Sequence, residues 1–136
     1  MVNSGRLSLP TAYAGSALST ADSDAWQGGP GPGAPLPDAP LVMAGKPVFL
    51  SQIVNGNGFT LLRMAGGPPL ASQDGVMAIT IGDGSLQDRD GVFAARHDAG
   101  PGSAWLLRPD GHLAARFRQP TPQAVQAARK RALGLS

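Results

Sequence analysis

The feature that most constrains the fold is a hairpin signal near the end of the chain. Two largely apolar runs, residues 104–108 and 112–117, flank the tripeptide Pro109-Asp110-Gly111. Proline presets φ at the first turn position, the aspartate side chain can bond its own backbone, and glycine tolerates positive φ. The pattern therefore predicts two antiparallel strands joined by a tight turn.

The clearest predicted helix covers residues 121–134, directly after this hairpin. Thr121 suits the N-cap, Pro122 the first helical position and Gly134 the C-terminal end. A narrow apolar stripe that includes Val125 and Ala128 would pack this helix on a sheet. The sequence thus predicts a hairpin followed by a covering helix.

Upstream of the hairpin, the pattern predicts two strands and a short helix. Residues 59–63 and 76–81 are predicted strands, and the second is apolar on both faces, as in a central parallel strand. Residues 88–97 suggest a short helix, and residues 48–54 either a short strand or a turn of helix. The order is that of an α/β thioredoxin-like sheet with flanking helices. The crossover over residues 64–75 is too short and too rich in Gly and Pro for a full helix, so one crossover helix is predicted to be trimmed.

The first third of the chain has a different composition. Residues 1–45 are predicted to be an extended Gly/Pro-rich arm and linker, and residues 46–136 the thioredoxin-like domain. Gly and Pro alternate over residues 28–33, which disfavours regular structure. Trp26 is predicted to anchor this stretch on the domain surface, since an exposed indole is costly; the alternative is a chance exposed aromatic.

Composition excludes several classes of function. The 136 residues include no cysteine, which removes disulfides, thiol redox chemistry and thiolate metal sites. No apolar run approaches the ~18 residues of a membrane span. No apolar signal-peptide core follows the N-terminus. We therefore expect a cytoplasmic protein with no membrane partner.

The basic end of the chain does not predict nucleic-acid binding. Arg129, Lys130 and Arg131 fall in the last helical turn, where cations complement the helix dipole. Arg116 and Arg118 are predicted to alternate outward from a strand into solvent. Few aromatic residues are available for base stacking, so we expect no nucleic-acid partner.

No motif predicts a catalytic, cofactor-binding or metal-binding residue in this chain. His97 and His112 are more simply structural, and Asp98 need not face its neighbour His97. The glycine pairs 82/84 and 100/102 lack the third glycine of a dinucleotide-binding loop. The acidic stretch 88–91 begins like a calcium loop, but the sequence contains no Glu to complete it.

Three further segments give the chain a specific resemblance. Residues 5–16 read GRLSLPTAYAGS, residues 34–41 read APLPDAPL and residues 58–62 read GFTLL. Together with residues 91–118, and in this order, they resemble the C-terminal thioredoxin-like domain of FAD-dependent aromatic-ring hydroxylases. This group of flavoprotein monooxygenases includes phenol hydroxylase and 3-(3-hydroxyphenyl)propionate hydroxylase.

The resemblance implies a non-catalytic C-terminal domain that serves stability, interdomain packing or oligomer contacts. FAD and NAD(P)H would belong to upstream domains of the parent hydroxylase, and none would be bound by this chain. Partners would be those upstream domains or a second copy, with Tyr13, Trp26 and Trp105 as interface candidates; a core position is the alternative for Trp105. Matching the hairpin to thioredoxins places Ser103 where they carry a cis-proline, opposite their redox site.

A second hypothesis is a free-standing interaction module on a redox-dead thioredoxin scaffold. The first hypothesis makes the chain a piece of a longer protein, whereas the second makes it a separate gene product. The sequence leaves this choice open, together with the aromatic substrate of the parent and its preference for NADH or NADPH.

Overall fold

The structure is a computed structural model of the 136-residue chain. It describes residues 19, 20, 22, 24, 26–54, 58–67, 72, 73, 75–82, 84 and 86–134. The elements in chain order are β1 (Pro40–Met43), β2 (Lys46–Phe49), α1 (Leu50–Ile53), β3 (Phe59–Met64), β4 (Val76–Ile81), β5 (Leu86–Gln87), α2 (Val92–His97), β6 (Ala104–Leu107), β7 (Leu113–Phe117) and α3 (Pro122–Ala132).

The larger sheet has the strand order β4-β3-β6-β7. Strands β3 and β4 are parallel, while β6 pairs antiparallel with both β3 and β7. This arrangement, with α2 before the hairpin and α3 after it, confirms the predicted α/β thioredoxin-like fold. Strand β4 is parallel as predicted, but it lies at the sheet edge rather than in the centre, and Met77 is accordingly exposed. Both faces of β4 nevertheless contribute to the core, because Val76 packs in the cluster with α3 and Ile81 packs in the cluster on the other face of the sheet.

A smaller sheet, which the sequence analysis did not predict, has the order β2-β1-β5 and is antiparallel throughout. Strands β1 and β2 form a hairpin that turns at Ala44 and Gly45, with φ of 51° and 81°. Positive φ at both positions matches the twist of a two-residue hairpin. The predicted domain boundary after residue 45 falls in this turn, and the division into two parts stays a prediction.

Both predicted helices form, and α3 begins with the expected cap. The Thr121 hydroxyl accepts a hydrogen bond from the Ala124 N–H at 3.1 Å, with Pro122 in the first turn. The Asp88 carboxylate accepts from the backbone N–H groups of Phe93 and Ala94, which fixes the start of α2. Residues 48–54 contain both predicted alternatives, the end of β2 and the single turn α1. In the crossover, none of the described residues 65–67, 72, 73 and 75 is helical.

The larger sheet lies between two apolar clusters. On one face, Val125 and Ala128 of α3 pack with Leu61, Leu106 and Ala115. On the other face, Leu62 and Trp105 pack with Leu41, Leu86 and Phe93 from the smaller sheet and α2. The fold is thus a three-layer arrangement, with the larger sheet, including the β6–β7 hairpin, as its middle layer.

Candidate functional site

The loop before β6 faces two glycines at the end of β3. A Cβ added to Gly67 would lie 2.7 Å from the Gly102 Cα, and one added to Gly66 would lie 2.8 Å from the Pro101 Cβ. Both distances are too short for a side chain, so the close approach of the two loops requires glycine. Ser103 is buried, and its hydroxyl accepts from the Gly100 N–H.

The sequence match that places Ser103 at the thioredoxin cis-proline predicts that this pair of loops corresponds to the redox site, and this correspondence stays a prediction. The sequence places Ser103 at the cis-proline position, and the segment opposite it is Gly66–Gly67 rather than a pair of cysteines. An adjoining groove of about 500 Å³ is lined by Gly66, Gly67, Pro101, Gly102, Arg118, Gln119, Pro120 and Thr121. None of these side chains is a thiol, so the groove cannot exchange disulfides.

A segment from the N-terminal third runs along the outer edge of β7. We call its described residues 19, 20, 22, 24 and 26–36 the strap. Backbone N–H groups of Thr20 and Gly33 donate to the carbonyls of Ala114 and Leu113, and Leu113 donates back to Ala34. These bonds satisfy backbone N–H and C=O groups of β7 that would otherwise be unpaired at the edge of the sheet.

Two arginines of the hairpin strand hold the strap. The Arg116 guanidinium donates to both Asp22 carboxylate oxygens at 2.8–3.1 Å and to the Gly28 carbonyl at 3.0 Å. Arg118 binds the carboxylate and carbonyl of Asp98, just after α2. The backbone N–H of Gln27 donates to the same Asp98 carboxylate, and these bonds, that from Gln27 first and then that from Arg118, lower the pKa of Asp98.

Trp26 is the centre of this attachment. Its ring lies 3.8 Å from the Arg118 guanidinium carbon and 4.5 Å from that of Arg116, both within the range of cation–π attraction. On its other side the ring centroid is 5.8 Å from that of Trp105. The strap is therefore fixed by apolar, ionic and backbone contacts at once.

Beneath Trp26 lies an aromatic cluster formed by Phe93, His97 and Trp105, all fully buried. Phe93 lies 4.6 Å from His97 and 5.1 Å from Trp105, measured between ring centroids. Burial lowers the pKa of His97 to about 4, and the contact with the Pro37 carbonyl offsets only part of this effect. At neutral pH the imidazole is an uncharged core group, which agrees with the structural role predicted for it.

The structure brings two of the three interface candidates together. Trp26 docks on the domain, while Trp105 is 0% exposed beneath it. Trp105 can therefore reach a partner only if the strap moves away, and its interface role stays a prediction. Tyr13 lies outside the described residues.

The sequence analysis missed the residues that hold the strap. Arg116 was expected to point into solvent, but it is buried and paired with Asp22, so that expectation was wrong. Arg118 is half-buried against Trp26 and Asp98. The available signal was the acidic pair Asp22 and Asp24 beside Trp26 in a chain segment otherwise poor in charge. Spacing alone could not assign their partners 94 residues away.

The glycine-rich turns do not form a cradle for FAD. Gly82 and Gly84 lie between β4 and the short strand β5, and Gly100 and Gly102 lead into strand β6. A dinucleotide site requires such a turn to open into a helix whose N-terminal N–H groups face the pyrophosphate. These two turns therefore lack the geometry of a dinucleotide-binding loop.

Two further features concern only the part of the chain that the structure describes. No group of three or more His, Asp or Glu side chains there is placed to hold a metal ion. Likewise, no helix in the described ranges has the length and apolar character needed to cross a membrane.

With this geometry established, comparison with known proteins identifies the family. The sequence matches the family described as "Aromatic-ring hydroxylase, C-terminal" over residues 29–135. The chain belongs to this family. No curated protein sequence matches it. The family assignment confirms the resemblance drawn from residues 34–41, 58–62 and 91–118, whereas residues 5–16 lie outside the matched range.

Two solved structures show the same relationship in three dimensions. The flavin-dependent monooxygenase PieE, in complex with FAD and substrate, is 27% identical, with a TM-score of 0.70 over 88% of this chain. Aklavinone-11 hydroxylase, in a ternary complex with FAD and aklavinone, is 25% identical, with a TM-score of 0.69 over 88% of this chain. The match covers 24% and 25% of those two chains, so this chain spans about a quarter of their length.

Proposed function

We propose that this chain is a non-catalytic C-terminal domain of an FAD-dependent aromatic hydroxylase. In this proposal FAD, NAD(P)H and the aromatic substrate bind upstream domains of the parent, and this domain supplies stability and interdomain packing. The family match and the two FAD-bound neighbours support the flavoprotein setting. The cytoplasmic location expected from the sequence stays a prediction.

The single observation that carries the proposal is the contact between Gly66–Gly67 and Pro101–Gly102. In a working thioredoxin this place must leave room for a thiol and for the substrate disulfide. Here the backbones approach so closely that even one Cβ at Gly67 would lie 2.7 Å from a neighbouring carbon. The two loops pack on each other instead of on a substrate, as expected of a scaffold that has become structural.

The strap supports the packing role. A chain segment that precedes the domain is fixed to it by Trp26, by the Asp22–Arg116 ion pair and by backbone bonds to β7. A domain attached through such a segment is held in a defined orientation, whereas a flexible Gly/Pro linker would let it rotate freely. A fixed orientation is what interdomain packing requires.

The proposal is tested by asking whether the chain alone binds the redox groups. The purified chain is mixed with FAD, and separately with NADH and NADPH, then desalted, and the visible absorbance of retained flavin and the near-ultraviolet absorbance of retained nicotinamide are measured. We expect no retention, and no reduction of insulin disulfides in the presence of dithiothreitol above the background rate. Stoichiometric FAD retention would overturn the proposal.

A second experiment separates the domain hypothesis from the free-standing module. The genomic sequence upstream of residue 1 is read for an open reading frame with a dinucleotide-binding glycine motif, either fused or adjacent. The proposal expects such a frame, and affinity purification of its product should recover this chain. Recovery of the chain without any flavoprotein would favour the free-standing module.

A further inference from the structure

The outer face of the smaller sheet is apolar. In the β1–β2 hairpin, Pro40 is paired with Phe49 and Val42 with Pro47, so these four side chains project from one face. We call these four residues the outer patch. Leu41 and Val48 alternate with them and pack into the core.

The outer patch is open to solvent in this chain. Phe49 is 54% exposed, Pro40 and Pro47 are exposed, and Val42 is half-buried. An antiparallel sheet with one face on the core normally carries polar residues on the other. Here Gln87, the β5 partner of Val42, supplies a polar neighbour at the margin. Exposed apolar patches rimmed by polar residues mark contact surfaces.

The geometry favours packing on the face over strand addition at the edge. Strand β2 is the edge of the smaller sheet, and Pro47 lies within it. Proline provides no N–H for a further strand and is a device that blocks edge pairing. Both prolines also have fixed φ, so the surface loses little conformational freedom when a partner covers it.

The lengths of the structural neighbours provide the argument for a partner of this face. The two FAD-bound neighbours are about four times as long as the part this chain matches, and the matching family is a C-terminal one. Most of such a polypeptide therefore precedes the domain. The strap already occupies the β7 edge, which leaves the outer patch as an uncovered apolar surface.

We propose that the outer patch packs against an apolar surface of the flavin-binding polypeptide that precedes this domain. This inference rests on the proposed function and specifies its contact surface. Phe49 is the central anchor, since exposed aromatic residues that become buried contribute most to such interfaces. The prolines and Val42 form the flat surface around it.

Hydrogen exchange tests the inference. Backbone exchange of β1 and β2 is compared between the isolated chain and the assembled flavoprotein, meaning this chain with the upstream flavin-binding polypeptide, fused or co-expressed as the genome encodes them. We expect slower exchange in the assembly, with Phe49→Asp restoring the isolated-chain rate, a change of about tenfold or more. Met77→Asp is the matched control, because Met77 is 52% exposed on the edge of the other sheet.

Each outcome has a defined meaning. Equal protection in the wild type and in Phe49→Asp, or a larger effect of Met77→Asp, overturns the inference while the proposed function stands. A doubled mass of the isolated wild-type chain in light scattering, abolished by Phe49→Asp, would assign the outer patch to a second copy and overturn it as well. If no flavin-binding polypeptide binds the chain at all, the proposed function itself fails. Unchanged circular dichroism of both variants establishes that they fold.

Discussion

The two sheets of this domain differ in what covers them. Every residue of β6 and β7 is buried, because α3 packs on one face of the larger sheet and the smaller sheet on the other, while the strap closes the β7 edge. The smaller sheet is buried on one face only, and its outer patch is exposed. Apolar residues therefore have two roles here: those of the larger sheet and of the inner face of the smaller sheet form the core, whereas those of the outer patch lie exposed.

The largest expected difference is between two aromatic residues, one from each sheet. Trp105→Ala removes a fully buried indole in contact with Trp26, Phe93 and His97, and should lower the free energy of unfolding by ~3–5 kcal/mol. Phe49→Ala in the isolated chain should change it by no more than ~0.5 kcal/mol. Urea denaturation followed by circular dichroism measures both. Similar losses for the two variants would contradict the distinction between the sheets.

The buried His97, which ends α2 and packs against Trp105 of the larger sheet, predicts a pH dependence of stability. Since burial lowers the pKa of His97 to about 4, the folded state binds fewer protons than the unfolded state, whose His has a pKa near 6.5. Stability is full above pH ~6.5 and falls as the pH approaches 4, by about 3 kcal/mol in total. His97→Leu should flatten this slope when urea denaturation is repeated between pH 7 and about 4.5.

The three aspartates whose pKa is lowered do not obscure that window. Burial raises the pKa of Asp38 and Asp110, but hydrogen bonds outweigh it, so both lie below their ordinary value. The pKa of Asp98 is also below its ordinary value, because the Gln27 N–H and the Arg118 guanidinium donate to its carboxylate. Stability that depends on these carboxylates is lost at still lower pH, as they protonate. A slope that persists in His97→Leu above pH ~4.5 would contradict the assignment to His97.

A smaller effect is expected where the crossover loop meets the loop before β6. Gly67→Ala would place a Cβ 2.7 Å from the Gly102 Cα, and should lower the free energy of unfolding by ~1–3 kcal/mol through overpacking. Gly31→Ala is the control, because an added Cβ there has no neighbour within 4 Å among the described residues. Chemical denaturation of the two variants gives the comparison. Equal stabilities would show that the loops separate easily and that the site retains room for a substrate.

Local signals made much of the larger sheet predictable from the sequence. The Pro-Asp-Gly turn, the Thr121 cap and the β-branched run of β4 each act over a few residues, and each forms the predicted type of element. The smaller sheet was missed because its turn carries Ala44 where a two-residue hairpin usually has Asn, Asp or Gly, and because its strands are only two to four residues long. The edge position of β4 and the pairing of Arg116 with Asp22 depend on contacts between distant segments, which periodicity does not encode.

The smallest expected effect concerns the strap, which covers the β7 edge of the larger sheet. The side chains of Arg116 and Asp22 are 8% and 26% exposed and share three hydrogen bonds, so their double-mutant cycle should give a coupling of about 1 kcal/mol. The matched control is Arg108–Asp110 in the hairpin turn, which is 33% and 49% exposed and should couple by about 0.3 kcal/mol.

Urea denaturation of the wild type, the two alanine variants and the double variant gives each coupling, and added salt should weaken the exposed pair more than the Arg116–Asp22 pair. Proteolysis within residues 19–36 should also accelerate in Asp22→Ala, because loss of the pair frees the strap to open locally. If the strap pair couples no more strongly than the turn pair, then Trp26 and the backbone bonds to β7 hold the strap. The covered edge of the larger sheet would then depend, like its core, on apolar burial.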